Sequence, residues 1–575
     1  MPEKIKKKWF LYPPVPSEVA QELSEYPAFF QQLLFNRGIK TITQAKEYLS
    51  PDRTHNPFLL KGMEEALDRI RWAIQQEVPV VVYGDYDVDG ITATVLLVKV
   101  LTRLGANVVP YIPNRFEEGY GLNDTALTSM AESGVKLVIS VDCGIRSLRE
   151  VETARRLGME IIITDHHQPA ETLPGASAVI CQKQAGDPYP YKDLAGVGLA
   201  YKIAQALVDR IKPMAEMPDQ NWVETFLDLV ALGTVADVMP LTGENRALVR
   251  KGLEFIRKGN RAGIRSLAGV AGVDLGRISG GDIGYMLAPR LNAAGRLDTA
   301  QNALDLLLTE DPQKASVLAQ NLDDQNRERQ KLTQLMIETA ERQIQERQFT
   351  DILFVVDPEF NSGIVGLVAA RLVESRYRPA IVGHYDEERG YTRASCRSIP
   401  EFHITQALDE CADLLVRHGG HAVAAGFTVK NENLNELITR LRVIAARELR
   451  ERELQPVLKA DLELPFSQLH PAMLNYLSKL QPTGHENSDA MFLTRNLRVL
   501  KVKAVGSDKK HLRLSLTDGR LVYDAFAARF GDMEETLPER VDVMYHFDVN
   551  VYRDQAALQL TIRDIKPTGE LTGWG

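Results

Sequence analysis

The stretch Val81–Thr94, VVYGDYDVDGITAT, sets Asp85, Asp87 and Asp89 at alternate positions and follows them with Gly90. It opens like an EF-hand calcium loop, where carboxylates recur at every second position before a glycine. The twelfth position counted from Asp85 is Leu96, where such a loop needs a bidentate glutamate. The flanks disagree as well. PVVVYG ahead of Asp85 is a β-branched apolar run that predicts a buried strand, and ITATVLLVKVLTRLG after Gly90 is apolar at helical spacing and closes on Gly105. The three carboxylates therefore sit on a strand-to-helix turn. By itself such a turn is either solvated surface or a metal site.

Working outward, the strand–helix rhythm repeats. Apolar runs at 79–84, 107–112, 136–141, 160–165 and 176–181 predict parallel strands covered on both faces, with amphipathic helices such as SLREVETARRLG between them. This is an α/β domain with a doubly wound parallel sheet, placed at 61–312 after a helical N-terminal segment, 1–60. Residues 313–348 contain no Gly or Pro and repeat apolar residues at helical spacing, as one long connecting helix or two abutting ones. A second, smaller α/β unit is expected at 349–455, and alternating strands around Asp518-Gly519 predict an OB-like β-barrel at 456–575.

The totals bound the rest. At 575 residues several domains are expected, and no apolar run approaches the ~18 residues of a membrane span. MPEKIKKKWF lacks the apolar stretch of a signal peptide, and Cys143, Cys181, Cys396 and Cys411 are scattered without a C-x-x-C pair. A reducing cytoplasm is the expected compartment. The net charge of −9 gives no general attraction to nucleic acid but leaves room for a locally basic groove.

In an open parallel sheet ligands bind beyond the carboxyl ends of the strands. Here each strand ends in chemistry: the Asp85–Asp89 turn, Arg115, Asp142-Cys143-Gly144, and Asp165-His166-His167. Asp237 stands in the apolar run LVALGTVADVMPL, where a carboxylate is costly to bury without a partner. Taken singly, Asp142 could cap a helix and the His pair could be structural. Together they would repel one another without cations. Two divalent metals resolve this, and carboxylates with imidazole suit Mn²⁺ or Mg²⁺. A pair ~3.5–4 Å apart serves the hydrolysis of a phosphate ester.

These motifs resemble those of the DHH phosphoesterases: Asp85-x-Asp87-x-Asp89, Asp142-Cys143-Gly144, Asp165-His166-His167 and Asp237. HGGHAVAAGF (418–427) resembles the signature of the DHH-associated domain. APRLNAAGRL (288–297) and RASCRSIPEFHITQAL (393–408) are similar to the family's single-strand-specific 5′→3′ exonucleases. The resemblance implies Asp85 and Asp87 on one metal, Asp89, His166 and Asp237 on the other, and Asp142 bridging. It implies His167 and His421 at the scissile phosphate, Asn292 and Arg296 on the substrate, and Arg115, Ser395 and Arg397 around a 5′-terminal phosphate. The alternative for Arg397 is an interdomain salt bridge. Implied partners are single-stranded DNA with a free 5′ end, a single-strand-binding protein and a RecQ-type helicase, with the enzyme a monomer away from any membrane.

Two positions depart from the family pattern. Tyr83 stands where many members carry a histidine that helps hold the first metal, and PTGHENSDAMF (482–492) differs from the usual Pro-x-Gly-x-Gly-Asn-Pro run. Two other readings compete: a shorter-substrate phosphatase or oligonucleotide nuclease, against which the C-terminal β domain argues, and a non-catalytic scaffold, against which the complete ligand set argues.

Overall fold

The computed structural model describes residues 5–116, 118–119, 121–210, 221–347, 351–506, 508–552 and 555–569. Near the N-terminus lie strand β1 (Lys8–Leu11) and the helices Ser17–Glu22, Ala28–Asn36 and Ile42–Leu49. The first sheet comprises β2 (Val80–Tyr83), β3 (Val108–Tyr111), β4 (Leu137–Val141), β5 (Glu160–Thr164) and β6 (Ala178–Ile180). They are all parallel, in the order β3-β2-β4-β5-β6. Strand alternation explains why the runs read as uniformly apolar. Val80 and Val82 of β2 enter the larger core on one face, while Val81 and Tyr83 enter the core on the other. The direction of winding reverses between β2 and β4, so the turns after these two strands flank the switch-point crevice.

The long segment is one continuous helix, Pro312–Arg347. Its first half (Ala315, Leu318, Ala319, Leu322) belongs to the core of the first domain, and its second half (Met336, Ala340, Ile344) packs in the second domain. It therefore acts as a strut shared by two hydrophobic cores. The second sheet contains β7 (Leu353–Asp357), β8 (Ala380–Asp386), β9 (Tyr391–Arg397), β10 (Leu415–His421) and β11 (Ala424–Lys430). Its order is β10-β11-β9-β8-β7, and β7–β8 is its parallel pair.

After β12 (Val457–Ala460), the C-terminal strands are β13 (Leu462–Glu463), β14 (Phe492–Val505), β15 (His511–Thr517), β16 (Val522–Ala527), β17 (Arg540–Tyr552) and β18 (Gln555–Pro567). The pairing β14–β17 closes them into a barrel. The N-terminal helices are not a separate body. Leu23, Phe30, Leu33 and Leu34 share a core with Phe466, Phe492, Leu514 and Tyr545 of the barrel, and β1 pairs with β12. Trp9 Nε1 donates to Asp564 at 2.7 Å, and Asn36 Nδ2 donates to Asp461 Oδ1 at 2.9 Å. None of the described helices is long and apolar enough to cross a membrane.

Phe30 is fully buried and its ring lies 5.2 Å from that of Tyr476. Phe30→Ala should therefore destabilise the barrel body by ~3–5 kcal/mol. Denaturant unfolding followed by near-UV circular dichroism checks this, and an unshifted midpoint would contradict the shared core.

Candidate active site

The aspartate turn is built by the elements on either side of it. Asp87 caps the helix Val88–Arg103, its Oδ1 accepting the Gly90 N–H at 3.1 Å. Asp89, within the first turn, is fully buried and accepts the N–H groups of Gly196 at 2.6 Å and Val197 at 2.8 Å. The helix Gly196–Arg210 thus starts on a carboxylate, where free amides and the helix dipole favour negative charge. Gly90 is needed for space, since a Cβ there would lie 2.6 Å from the Asp85 backbone. Asp142, just past β4, has φ +62°, a left-handed conformation that aspartate tolerates better than most residues. Gly196 makes room for it: a Cβ would stand 2.7 Å from the Asp142 Cβ. At the end of β5, Asp165 accepts the Ile145 N–H at 2.9 Å and holds His167 Nδ1 at 2.8 Å.

These turns converge on His166. Its Nε2 lies 3.0 Å from Asp142, 3.6 Å from Asp237 and 3.8 Å from Asp89. Two ligand-sized groupings result, Asp85–Asp87–Asp142 and Asp89–His166–Asp237, with Asp142 in contact distance of both; a third, overlapping grouping joins Asp142, His166 and His167. Burial, then repulsion from Asp87, pushes Asp89 up to about 7. Burial, then Asp89 and Asp87, pushes Asp237 up to about 9. Asp85 and Asp142 are driven upward by burial and by the neighbouring carboxylates. Burial, helped by His167, lowers His166 to about 3 and keeps it neutral. Burial would also lower His167, but the hydrogen bond and charge of Asp165 outweigh it and hold that imidazole above its ordinary value.

A neutral imidazole facing three carboxylates has no protein charge to explain it. Asp85 Oδ1 and both ring nitrogens of His166 are buried without a hydrogen-bond partner. Such unmade bonds are costly unless a ligand makes them. The donor set, carboxylate oxygens with one imidazole, fits Mn²⁺ or Mg²⁺. Tyr83 is not placed to join it. Its hydroxyl donates to the Gly121 carbonyl at 3.0 Å, its ring packs 5.0 Å from Tyr111, and burial raises its pKa far above the ordinary tyrosine value.

The remaining expected residues lie opposite the carboxylates or beside them. Asn292 and Arg296 are one turn apart on the helix Ala288–Leu297, which packs so closely on the aspartate turn that a Cβ on Gly295 would lie 2.9 Å from the Tyr86 carbonyl. Arg296 Nη1 donates to the Gly363 carbonyl of the second domain at 3.3 Å. Burial, then the charges of Arg115, Arg329 and Arg397, lowers Arg296 to about 10. Arg115 sits over the Tyr86 ring at 5.0 Å, and Arg397 Nη1 donates to the Cys396 carbonyl at 2.8 Å. Among the described residues Arg397 makes no ion pair, so the interdomain salt bridge is not formed. Ser395 and Arg397 lie beside the N-terminus of the helix Val365–Arg376: a Cβ on Gly366 would meet Arg397 Nη2 at 3.3 Å and Ser395 Oγ at 3.5 Å. His421 is exposed at the β10–β11 hairpin end and belongs to neither carboxylate grouping. Through the cross-strand pairs His421–Ala424 and Ala424–Arg397 it shares a row with Arg397, about 10 Å away at ordinary strand spacing. Two contributors were not anticipated from sequence: the helix N-terminus at Gly366, whose signal is the SGIVG turn after a strand, and Arg329 on the long helix, a lone arginine among many.

A carboxylate–imidazole metal cluster at the switch point of a doubly wound sheet, faced by a second α/β domain, defines a metal-dependent phosphoesterase of the DHH type. Residues 79–234 match the DHH family N-terminal domain, 350–446 the DHHA1 domain and 460–564 the RecJ OB domain. The chain belongs to the RecJ family. It is 38% identical over 537 residues to the single-stranded-DNA-specific exonuclease RecJ of Bacillus subtilis, covering 92% of this chain and 67% of that protein. With the RecJ of Escherichia coli it shares 33% identity over 570 residues, 96% of this chain and 98% of the relative. Among solved structures, RecJ from Thermus thermophilus in complex with Mn²⁺ aligns with a TM-score of 0.83 at 30% identity, covering 98% of this chain and 80% of that one.

Gly196 offers a test that leaves every candidate ligand unsubstituted. Gly196→Ala should displace Asp142 and lower turnover by about 100-fold, the scale of an ångström-level misplacement. Steady-state kinetics alongside Mn²⁺ calorimetry checks it, and full turnover with normal Mn²⁺ binding would contradict the packing.

Proposed function

We propose that this protein is a single-strand-specific 5′→3′ DNA exonuclease that hydrolyses phosphodiester bonds and releases 5′-mononucleotides, in DNA repair and recombination. The observation that carries the reading is the juxtaposition of two charge sets: buried carboxylates and His166 on one domain, and arginines shared with the other that form no ion pair among the described residues, joined through Arg296 and Gly363. Asp85 and Asp87 would hold one divalent ion, Asp89, His166 and Asp237 the other, and Asp142 both. Mn²⁺ or Mg²⁺ held there supplies Lewis acidity and charge neutralisation for displacement at phosphorus. His167, oriented by Asp165, is assigned to the scissile phosphate, and His421 of the second domain is assigned to the same phosphate. Asn292 and Arg296 are assigned to the strand.

The 5′ end is assigned to Arg115, Ser395 and Arg397. A terminal phosphate carries more charge and more acceptor oxygens than an internal diester, which suits an arginine fork beside a helix N-terminus. A pocket closed at that end admits a strand with its 5′ terminus leading, and so sets polarity. The barrel is assigned to the strand as well. Lys503, Arg513 and Phe526 are cross-strand neighbours, and Phe526 lies 5.6 Å from His511, a basic and aromatic row of the kind that follows a single strand. The same reading makes the enzyme a cytoplasmic monomer acting where a RecQ-type helicase has exposed the strand and single-strand-binding protein covers it. Four buried, unbridged cysteines support the reducing compartment, and a site for unpaired DNA supports the need for an unwinding partner.

A charge-assisted contact contributes ~1.5–3 kcal/mol, so Arg397→Ala should lower kcat/KM by roughly 10- to 100-fold on 5′-phosphorylated strands. The loss should be much smaller on 5′-hydroxyl strands under identical salt and Mn²⁺. An equal fall on both would sink the pocket.

On the barrel, Lys503→Ala with Arg513→Ala should reduce the slope of log K against log salt by about 1.4 for long single strands, ~0.7 for each lost phosphate contact. Dinucleotide cleavage should stay near wild type. An unchanged slope would mean that this row is only a solvated face. Substitution is preferable to deleting 456–575, which would strip the N-terminal helices of their core.

A further inference from the structure

The loop that carries the divergent PTGHENSDAMF run leaves the barrel and docks on the catalytic domain just beyond Asp237. Four residues after Asp237, the Leu241 N–H donates to the His485 carbonyl at 2.9 Å. Gly484 approaches so closely that a Cβ would lie 2.7 Å from Leu241 Cδ1. The Thr483 carbonyl would stand 3.1 Å from a Cβ on Gly280, where the segment leading to Asn292 and Arg296 begins.

The loop is held rigidly from beneath. Arg246 of the catalytic domain is 1% exposed. Its Nη1 donates to the carbonyls of Leu480 at 2.7 Å and Pro482 at 3.0 Å, its Nη2 to Lys479 at 3.0 Å and its Nε to Tyr48 at 3.1 Å. The guanidinium also lies 4.2 Å above the Tyr48 ring. Among the described residues it has no carboxylate partner, so its bonds are to neutral carbonyls. Burying an unpaired cation is a poor route to stability; its five donors do, however, fix the path of a loop. Asn487 closes the turn, its Nδ2 donating to Leu480 at 3.0 Å and Pro482 at 2.7 Å while its Oδ1 accepts the Tyr48 hydroxyl at 2.6 Å.

The catalytic side of this contact is short and strained. Asp237 ends the helix Leu227–Ala236, and Val238 follows with φ +58°, where a β-branched residue is an outlier. Asn245 Nδ2 pins the Pro240 carbonyl at 3.1 Å. Asp89, by contrast, is fixed by two amides within its own domain. The backbone of Asp237 is held by the helix end, its N–H donating to Gly233 at 2.9 Å and the Met239 N–H to Thr234 at 3.2 Å, and Leu241, which bonds to the barrel loop, follows Met239 by only two residues.

We propose that this loop is a latch through which the barrel body sets the position of Asp237, so that ion affinity at the Asp89–His166–Asp237 cluster depends on barrel docking. Arg246, Gly484 and Asn487 are then positioning residues for a metal ligand that none of them touches. The inference rests on the two-cluster reading of the site.

The test is Mn²⁺ binding to the full-length chain, followed by electron paramagnetic resonance of the free ion, for wild type, Gly484→Val, Arg246→Met and Arg246→Lys. Circular dichroism and Tm confirm folding. One of the two ions should bind roughly 10- to 100-fold more weakly in Gly484→Val and Arg246→Met, the scale seen when groups supporting a ligand are removed. The other ion should hold its affinity, activity lost at limiting Mn²⁺ should return at high Mn²⁺, and Arg246→Lys should fall between. Should Arg246→Met fail to fold, Gly484→Val carries the test, because it leaves every Arg246 bond in place. Unchanged affinities in folded variants, or equal weakening of both ions, would overturn the latch alone. Fewer than two ions on the wild type would overturn the two-cluster reading and the latch with it.

Discussion

The repulsion among Asp85, Asp87, Asp89, Asp142 and Asp237 is the constraint around which the catalytic domain is arranged. The fold tightens it. Two helix N-termini converge on Asp87 and Asp89, Gly90 and Gly196 remove the side chains that would hold the acids apart, and Asp142 takes a left-handed conformation to face inward. Each device favours a crowded ionised cluster over a relaxed one. Strain and unsatisfied polar groups concentrate where function requires them and are offset elsewhere, here by cores on both faces of the sheet. A divalent cation is the species that this electrostatic design fits.

Beside the carboxylates and on the facing domain the sign reverses. Arg115, Arg296 and Arg397 sense one another, and Arg296 and Arg397 are depressed by burial and by neighbouring guanidinium charge. Were the second domain free to shift, Arg397 would be drawn towards the aspartates. The helix Pro312–Arg347 prevents that. Being embedded in both cores, it is held at each end, with Arg290 bonded to Asp323 near one and Arg376 to Glu341 near the other. The spacing of the two domains is therefore fixed by packing, and a polyanion is a species that suits the arginines while cations suit the carboxylates.

Much of this was legible in the sequence for a simple reason. Parallel strands buried on both faces leave continuous apolar runs, and a carboxylate at the end of such a run stands out. Asp237 was visible as the acid in the otherwise apolar run LVALGTVADVMPL. What stayed hidden depends on contacts distant in the chain. That β1 pairs with β12, and that Phe30 packs beside Tyr476, leaves no local periodicity to read. The helix N-terminus beside Arg397 was hidden because SGIVG announces a turn without saying which strand lies next to it. Tyr83 was legible as a departure, but its reason, a hydroxyl already committed to Gly121, belongs to tertiary structure.

The shared core of the N-terminal helices and the barrel changes how the molecule divides. Residues near the start and the end of the chain make one body, and the catalytic domain is mounted on it through Arg246 and Tyr48. A processing enzyme for a polymer must keep the surface that guides the strand in register with the site that cuts it. A flexible linker would leave that register to chance. Here chain segments on both sides of the catalytic domain lead into the barrel body, while Arg246 and Leu241 fasten that body to the domain by side chain and backbone. Rotation of the body about any single attachment would break another, which is how a barrel distant in sequence can keep a fixed position relative to the catalytic domain.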